Sequence, residues 1–333
     1  MSIVRFLKQI LILLAIAVLA ASCSQVASVT NSPWQVINVP TQATLADIAF
    51  TADSSHGWLV GSDSTLVETI DGGKTWQVRQ VEVDNQNYRF TSVSFAGDEG
   101  WVTGEPAILL HTTDAGKSWS RIPLSNKLPG APNTILALAP SEAEMTTNVG
   151  AIYRTSDGGK SWQALVQDAL GVVRNISRSP DGKYVAVSTK GNFYSTWEPG
   201  LDAWVGHNRN SSRRVQNMGF TKDGRLWMLA RGGQVQFSNP DDIESWDEIQ
   251  YPEMSTSWGL LDLAYRTPDE IWLAGGSGNL LCSLDGGKTW QKDRQVEDVP
   301  SNLYKIVFVT PEQGFIIGQR GILLKYQGAT KSA

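Results

Sequence analysis

The chain has 333 residues, long enough to bury a sizeable core as one large all-β domain or as two smaller ones. Thirteen Trp and 31 Gly against only 18% charged residues favour many short strands and tight turns over helices. A formal net charge of −5 and an isoelectric point near 5.3 argue against general nucleic-acid binding, which needs a basic face.

In chain order, the first element is a targeting segment. Arg5 and Lys8 give a positive start, and Ile10 to Ala20 is an apolar run of 11 residues. Such a run is too short to span a bilayer comfortably and fits a secretory signal. Its end, Leu19-Ala20-Ala21-Ser22-Cys23, resembles the lipobox of bacterial lipoproteins, with Ala20 where Leu is usual. In that family the Cys is lipidated and becomes the first mature residue. An ordinary signal peptide with an incidental Cys, or an uncleaved anchor, are the competing readings. The expected organisation is a lipoprotein signal peptide over 1–22, lipidated Cys23 with a flexible linker over 23–32, a folded domain over 33–328 and a tail over 329–333. A diacyl-type anchor holds a protein at a membrane surface without spanning it. After cleavage Cys282 is the one remaining thiol, so stability comes from packing rather than an internal disulfide.

From Trp34 onward the chain repeats. Trp34, Trp76, Trp119, Trp162, Trp204, Trp246 and Trp290 are spaced by 42, 43, 43, 42, 42 and 44 residues. Each unit opens with an apolar or alternating run (LADIAFT at 45–51, FTSVSFA at 90–96, NTILALA, VVRNISR, VQNMGFT, LLDLAYR and finally LYKIVFV at 303–309). A second strand rich in Trp and Gly follows, then a third, and the Trp opens a fourth. Period-2 alternation and Gly punctuation predict strands throughout. Four strands per unit of this length predict a seven-bladed β-propeller. The last unit ends at its third strand, GILLKYQ (321–327), while PWQVINV (33–39) has no three strands before it. The N-terminal strand is therefore expected to close the seventh blade, leaving no long free edge.

The link from third to fourth strand is written four times: TIDGGKTW, TTDAGKSW, TSDGGKSW and SLDGGKTW. It resembles the Asp-box of sialidases and other propellers, a structural turn on the outer rim. In this reading Asp71, Asp114, Asp157 and Asp285 accept backbone N–H bonds. Gly73, Gly116, Gly159 and Gly287 supply positive φ, and Trp76, Trp119, Trp162 and Trp290 cover the outer core. Units four and five replace the Asp-Gly pair with Glu198-Pro199-Gly200 and Asp241-Asp242 but keep the Trp.

Little in the chain suggests catalysis. A glycosidase needs two carboxylates across a bond, or in sialidases a Tyr nucleophile with a Glu and an Arg triad. Glu105 and Asp63 are the nearest candidates and read better as solvated loop charges. His56, His111 and His207 lie in different units without ligand spacing, so no metal site is expected. His111 shares a third-strand position with Glu68, Arg154, Cys282 and Lys325, which is therefore expected to be partly solvated. No phosphate loop or Ser-centred elbow occurs.

Charge is unevenly placed. Residues 174–231 hold seven Arg and three Lys against four acids, in a chain that is acidic elsewhere. In a propeller, the turns from strand four to one and from strand two to three share a face opposite the Asp-box turns. That places Arg89, Arg174, Lys190, Arg209, Arg213, Arg214, Arg231 and Arg320 together, with Arg178, Arg225 and Arg266 pointing to the other end. Arg clusters suit bidentate capture of carboxylates and phosphates.

The lipobox, seven Trp-marked blades with degenerate Asp-boxes, and Arg-rich middle blades resemble the photosystem II stability/assembly factors of cyanobacteria and chloroplasts. The resemblance covers roughly Trp34 to Gly328, and the lipobox points to a cyanobacterial member. It implies a non-enzymatic protein without cofactors, monomeric when free, on the lumenal side of the thylakoid membrane. It implies as partners the newly made precursor of the reaction-centre core subunit and early assembly complexes. It also implies an arginine patch, for which Arg174, Arg178, Arg213, Arg214 and Arg231 are the best matches. The alternative is an Asp-box glycan hydrolase or glycan-binding envelope lipoprotein, which predicts paired carboxylates and aromatic platforms at the ring axis. A purely structural envelope scaffold is a third class.

Overall fold

A computed structural model describes residues 27–81, 84, 86–166, 169–209, 211–240, 242–252 and 259–328. The signal peptide, Cys23 and the 329–333 tail lie outside the described residues. Seven antiparallel sheets follow one another along the chain as the blades of a propeller. Blade 1 comprises Leu45–Phe50, Gly57–Gly61, Leu66–Thr69 and Gln77–Val78, and blade 2 Arg89–Ala96, Glu99–Glu105, Ile108–Thr112 and Ser120–Arg121. Blade 3 is Pro132–Ala139, Glu142–Thr147, Ile152–Thr155 and Gln163–Val166; blade 4 is Val173–Arg178, Tyr184–Ser188, Phe193–Trp197 and Val205–Asn208. Blade 5 has three strands, Val215–Phe220, Leu226–Ala230 and Gln234–Phe237. Blade 6 is Leu260–Tyr265, Ile271–Gly275, Leu280–Ser283 and Gln291–Lys292, and blade 7 Leu303–Thr310, Gln313–Gly318 and Leu323–Tyr326.

The expected closure is present: Trp34–Ile37 pairs antiparallel with Leu323–Tyr326 as the fourth strand of blade 7. Two details differ from the sequence reading. In blade 5 the fourth strand is reduced to the isolated pairs Ser238↔Trp246 and Val235↔Gln250, between which the register slips by one residue. And residues 27–32, expected as part of a flexible linker, lie along blade 6. Ala27–Ser28 pairs parallel with Gln291–Lys292, Val29 N–H donates to the Lys292 carbonyl at 2.9 Å, and Gln295 Nε2 donates to the Thr30 carbonyl at 3.1 Å. Val29 also packs on the apolar core between blades 6 and 7, which holds the segment in place.

The Trp ladder joins blades as well as covering them. Trp119 meets Trp58 of the preceding blade edge-on with centroids 5.7 Å apart, Trp162 meets Trp101 at 5.9 Å, Trp246 meets Tyr194 at 6.0 Å and Trp34 meets Trp272 at 5.4 Å. Edge-to-face pairs of this kind contribute about 0.5–1.5 kcal/mol each beyond their burial. The Asp-box turn itself is pressed on the same neighbour: Trp58 Nε1 donates to the Ala115 carbonyl at 2.9 Å.

A second joint runs round the inside of the ring. In every blade the first strand carries a register shift, and the residue after it is polar: Asp47, Ser92, Thr134, Asn175, Asn217, Asp262 and Lys305. These side chains bond the next blade. Asp47 accepts from Val93 N–H, Asn175 from Met218 N–H and Asp262 from Ile306 N–H, while Asn217 donates to Asp262. Lys305 Nζ completes the circle on Asp47 at 2.6 Å. Between blades 3 and 4 the pattern lapses, since Thr134 bonds Thr146 of its own blade; there Arg178 and Tyr184 of blade 4 hold Glu144 of blade 3 instead.

Candidate functional site

The Asp-box turns are self-contained. Asp71 Oδ1 accepts the N–H groups of Lys74 and Thr75 at 2.9 Å, Oδ2 accepts the Thr75 hydroxyl at 2.6 Å, and Thr69 Oγ1 accepts Gly73 N–H at 2.9 Å. Burial alone would raise the Asp71 carboxyl, but the hydrogen bonds from Thr75, Thr69 and Lys74 outweigh it and hold the pKa at about 2. Asp114, Asp157 and Asp285 also sit at about 2, led by the hydroxyls of Ser118, Ser161 and Thr289. Gly116 has φ of 88°, and a Cβ there would stand 2.4 Å from the Trp58 ring. These groups have spent their bonding capacity inside the turn, which is what a structural role requires.

The other end of the blades is built differently. The connection from blade 4 to blade 5 threads between two second-to-third-strand turns: Val215 N–H bonds the Gly191 carbonyl of blade 4 at 2.8 Å, and the Arg214 carbonyl accepts Arg231 N–H of blade 5 at 2.9 Å. This raises Arg213 and Arg214 as exposed residues between the two turns. Arg213 Nη1 lies 3.4 Å from the Arg231 carbonyl, over Gly232, where any Cβ would stand 2.0 Å from that nitrogen. Arg209 Nη1 bonds the Arg213 carbonyl at 2.5 Å, and burial lowers the Arg209 pKa. Arg174 reaches the Thr189 carbonyl at 2.7 Å and Gln216 Oε1 at 3.3 Å. Lys190 is exposed on the same blade 4 turn as Gly191, against which Arg214 packs. The structure thus brings Arg174, Lys190, Arg209, Arg213, Arg214 and Arg231 together.

Three candidates stand apart. Arg178 is at the opposite end of the strand that starts at Val173, where its Nε bonds Glu144 Oε2 at 2.7 Å. Arg89 of blade 2 bonds Glu105 at 3.0 Å, and Arg320 is exposed on the blade 7 turn. Arg225 and Arg266 pair with Asp223 and Glu270 near the far ends of their strands, as their positions predict. Among the described residues, Arg174, Arg209, Arg213, Arg214, Arg231 and Arg320 have no carboxylate within 4.0 Å, whereas every other arginine does. The guanidiniums of the cluster bond only carbonyls and an amide, leaving N–H groups free for a bidentate partner.

The remaining sequence candidates resolve as scaffold. Glu105 is bound by Arg89 and by Asn148 Nδ2 at 3.0 Å, and Asp63 is an exposed turn residue with φ of 56°. His56, His111 and His207 pair with Glu68, Glu99 and Glu244 at 2.7, 2.7 and 2.9 Å. Among the described residues, no three His, Cys, Asp or Glu could hold a metal. The expectation of a partly solvated third-strand position fails for Glu68 and Cys282, which are 8% and 3% exposed. His56 and Arg79 cover Glu68, while Cys282 is closed in the Trp34–Trp272 core, where burial pushes its thiol far above the usual range. The sequence reading overlooked the polar belt, although the signal was there: every unit reads apolar, any, polar at its start, as in Leu45-Ala46-Asp47 and Leu260-Leu261-Asp262.

Fold and face define a seven-bladed propeller with closed Asp-box turns at one end and uncompensated arginines at the other. The chain belongs to the family described as Photosynthesis system II assembly factor YCF48, which matches residues 26–327; it is a photosystem II assembly factor. It is 63% identical over 327 residues to the photosystem II assembly lipoprotein Ycf48 of Trichormus variabilis, covering 98% of this chain and 96% of that one. The Ycf48 lipoprotein of Synechocystis is 65% identical with the same coverage. A solved structure of YCF48 bound to D1 peptide superposes with a TM-score of 0.89 at 60% identity, covering 91% of this chain and 99% of that chain. YCF48 from Cyanidioschyzon merolae gives 0.83 at 41% identity, covering 89% and 99%. A virginiamycin B lyase from Staphylococcus aureus, at 14% identity and a TM-score of 0.68, shares the fold alone.

Proposed function

We propose that this protein is a non-catalytic assembly factor, anchored through Cys23 on the lumenal side of the thylakoid membrane. It holds a carboxylate-bearing extramembrane segment of the newly made D1 precursor on the arginine cluster of blades 4 and 5. The observation that carries the reading is the segregation of the arginines that meet no carboxylate among the described residues: all lie at one end of the blades, and five of the six converge between two blades. The 60% identical relative solved with a D1 peptide supports the choice of partner. Arg174, Arg209, Arg213, Arg214 and Arg231, with Lys190, form the working set; Arg89, Arg178 and Arg320 are peripheral. A rigid disk with fixed guanidiniums meets a flexible segment with little ordering cost of its own.

Affinity isolation of the tagged protein from membranes, with and without Arg213→Glu/Arg214→Glu, tests this. Wild type recovers D1-containing early assembly complexes and the variant loses them. Undiminished recovery overturns the arginine reading, and hydrolysis of a sialoside or other glycan overturns the non-catalytic one.

A further inference from the structure

The N-terminal segment fixes where the chain leaves the disk. Ala27–Ser28 runs parallel to Gln291–Lys292, which itself runs from the Asp-box turn of blade 6 toward the loop that leads into blade 7. The tether therefore enters from the Asp-box end of the blade 6 rim. Cys23 is four residues from Ala27, a reach of about 14 Å even when fully extended. From Ala27 to Trp34 the chain is held to blades 6 and 7 and adds no slack.

The same end carries an asymmetry that the turn chemistry does not require. The residue between the hydroxyl and the Asp of each Asp-box is exposed in all four copies. In blades 2 and 3 it is polar, Thr113 and Ser156. In blades 1 and 6 it is Ile70 and Leu284, 70% and 58% exposed and among the most exposed large apolar residues of the protein. Single exposed apolar residues are ordinary. These two flank blade 7, on the arc where the tether enters, and each is followed four residues later by an exposed lysine, Lys74 and Lys288. An apolar tip beside a cation matches the headgroup region of a bilayer.

We propose that the Asp-box end of blades 6, 7 and 1 rests on the lipid bilayer, with Leu284 and Ile70 entering the headgroup region. The inference rests on the reading that Cys23 carries the anchor. It turns the arginine cluster, at the opposite end of blades 4 and 5, away from the bilayer and toward segments that stand clear of it.

The test uses the lipidated protein on phosphatidylcholine vesicles that carry a nitroxide headgroup quencher. Fluorophores are placed one at a time by Ile70→Cys, Leu284→Cys, Thr113→Cys and Ser156→Cys, equivalent positions of four equivalent turns. Fluorescence is lost at 70 and 284 and kept at 113 and 156. On wild type, amine acetylation gives a label-free reading: vesicles protect Lys74 and Lys288 and leave Lys117 and Lys160 reactive. Equal quenching and equal acetylation across the four turns, on protein that sediments with vesicles, overturns the orientation and leaves the anchor intact. Wild type that sediments no better than Cys23→Ala overturns the anchor and the orientation with it.

Discussion

The two ends of the blades are made from the same repeat and behave in opposite ways. At the Asp-box end each carboxylate is saturated by bonds from within its own turn, and the turn glycine is pressed on the neighbouring blade. At the other end the arginines of the cluster in blades 4 and 5 bond backbone carbonyls and the Gln216 amide and, among the described residues, meet no carboxylate. A group saturated by its own chain stabilises the fold and has nothing left for a ligand. One held in place through part of its donors is oriented and still available. Arg89 and Arg178 have the same side chain as Arg213, but each is already paired with a carboxylate of its own protein.

That division can be broken experimentally, and the largest effect lies in the turn. Gly116→Val puts a branched Cβ at positive φ against the Trp58 ring; a loss of roughly 3 kcal/mol or failure to fold is expected by denaturant titration. Any fall in partner binding then tracks the unfolded fraction. Arg213→Glu/Arg214→Glu does the reverse: binding of a D1 peptide falls at least about tenfold, near 1.4 kcal/mol, by titration calorimetry, while the melting temperature is unchanged. A matching drop in stability would mean that the cluster is scaffold too.

A finer test concerns pH. Desolvation raises the Asp262 carboxyl to about 6, despite the bonds from Ile306 and Asn217. Its folded value lies above the usual value near 3.9, so the fold takes up a proton that the unfolded chain does not. Stability should rise by about 1 kcal/mol as pH falls from roughly 7 to 5. Asp262→Asn should flatten that rise. The Asp-box carboxylates have the opposite sign: their stabilisation is full above about pH 4 and is lost only as pH falls toward about 2. The smallest effect belongs to Arg89→Ala, whose exposed pair with Glu105 is worth less than about 0.5 kcal/mol; stability and peptide affinity should both barely move.

The blade count and closure were readable because a propeller repeats one set of local demands: an Asp to close a turn, a Gly for positive φ and an indole for the joint between blades. Trp34 and its distance from Trp76 sufficed to place a strand whose partner lies almost 290 residues away. The arginine-rich stretch was equally visible. What it could not reveal is which guanidiniums are already taken, because Glu144 is sequence-distant from Arg178 and its approach depends on how blades 3 and 4 pack. The pairing of Ala27–Ser28 escaped for a related reason: two residues carry no periodicity, and their ladder forms only against an edge supplied by Gln291–Lys292.

Blade 7 is a clasp made from both ends of the chain. Trp34–Ile37 is made early and has no strand partner until Leu323–Tyr326, almost 290 residues later, has emerged from the ribosome. The ring therefore locks only after Leu323–Tyr326 has been made, and long-range pairing of this kind is slow to form. A chain cut short before Leu323 would keep its Asp-boxes and its arginines, yet offer two unpaired sheet edges to its surroundings instead of a closed disk.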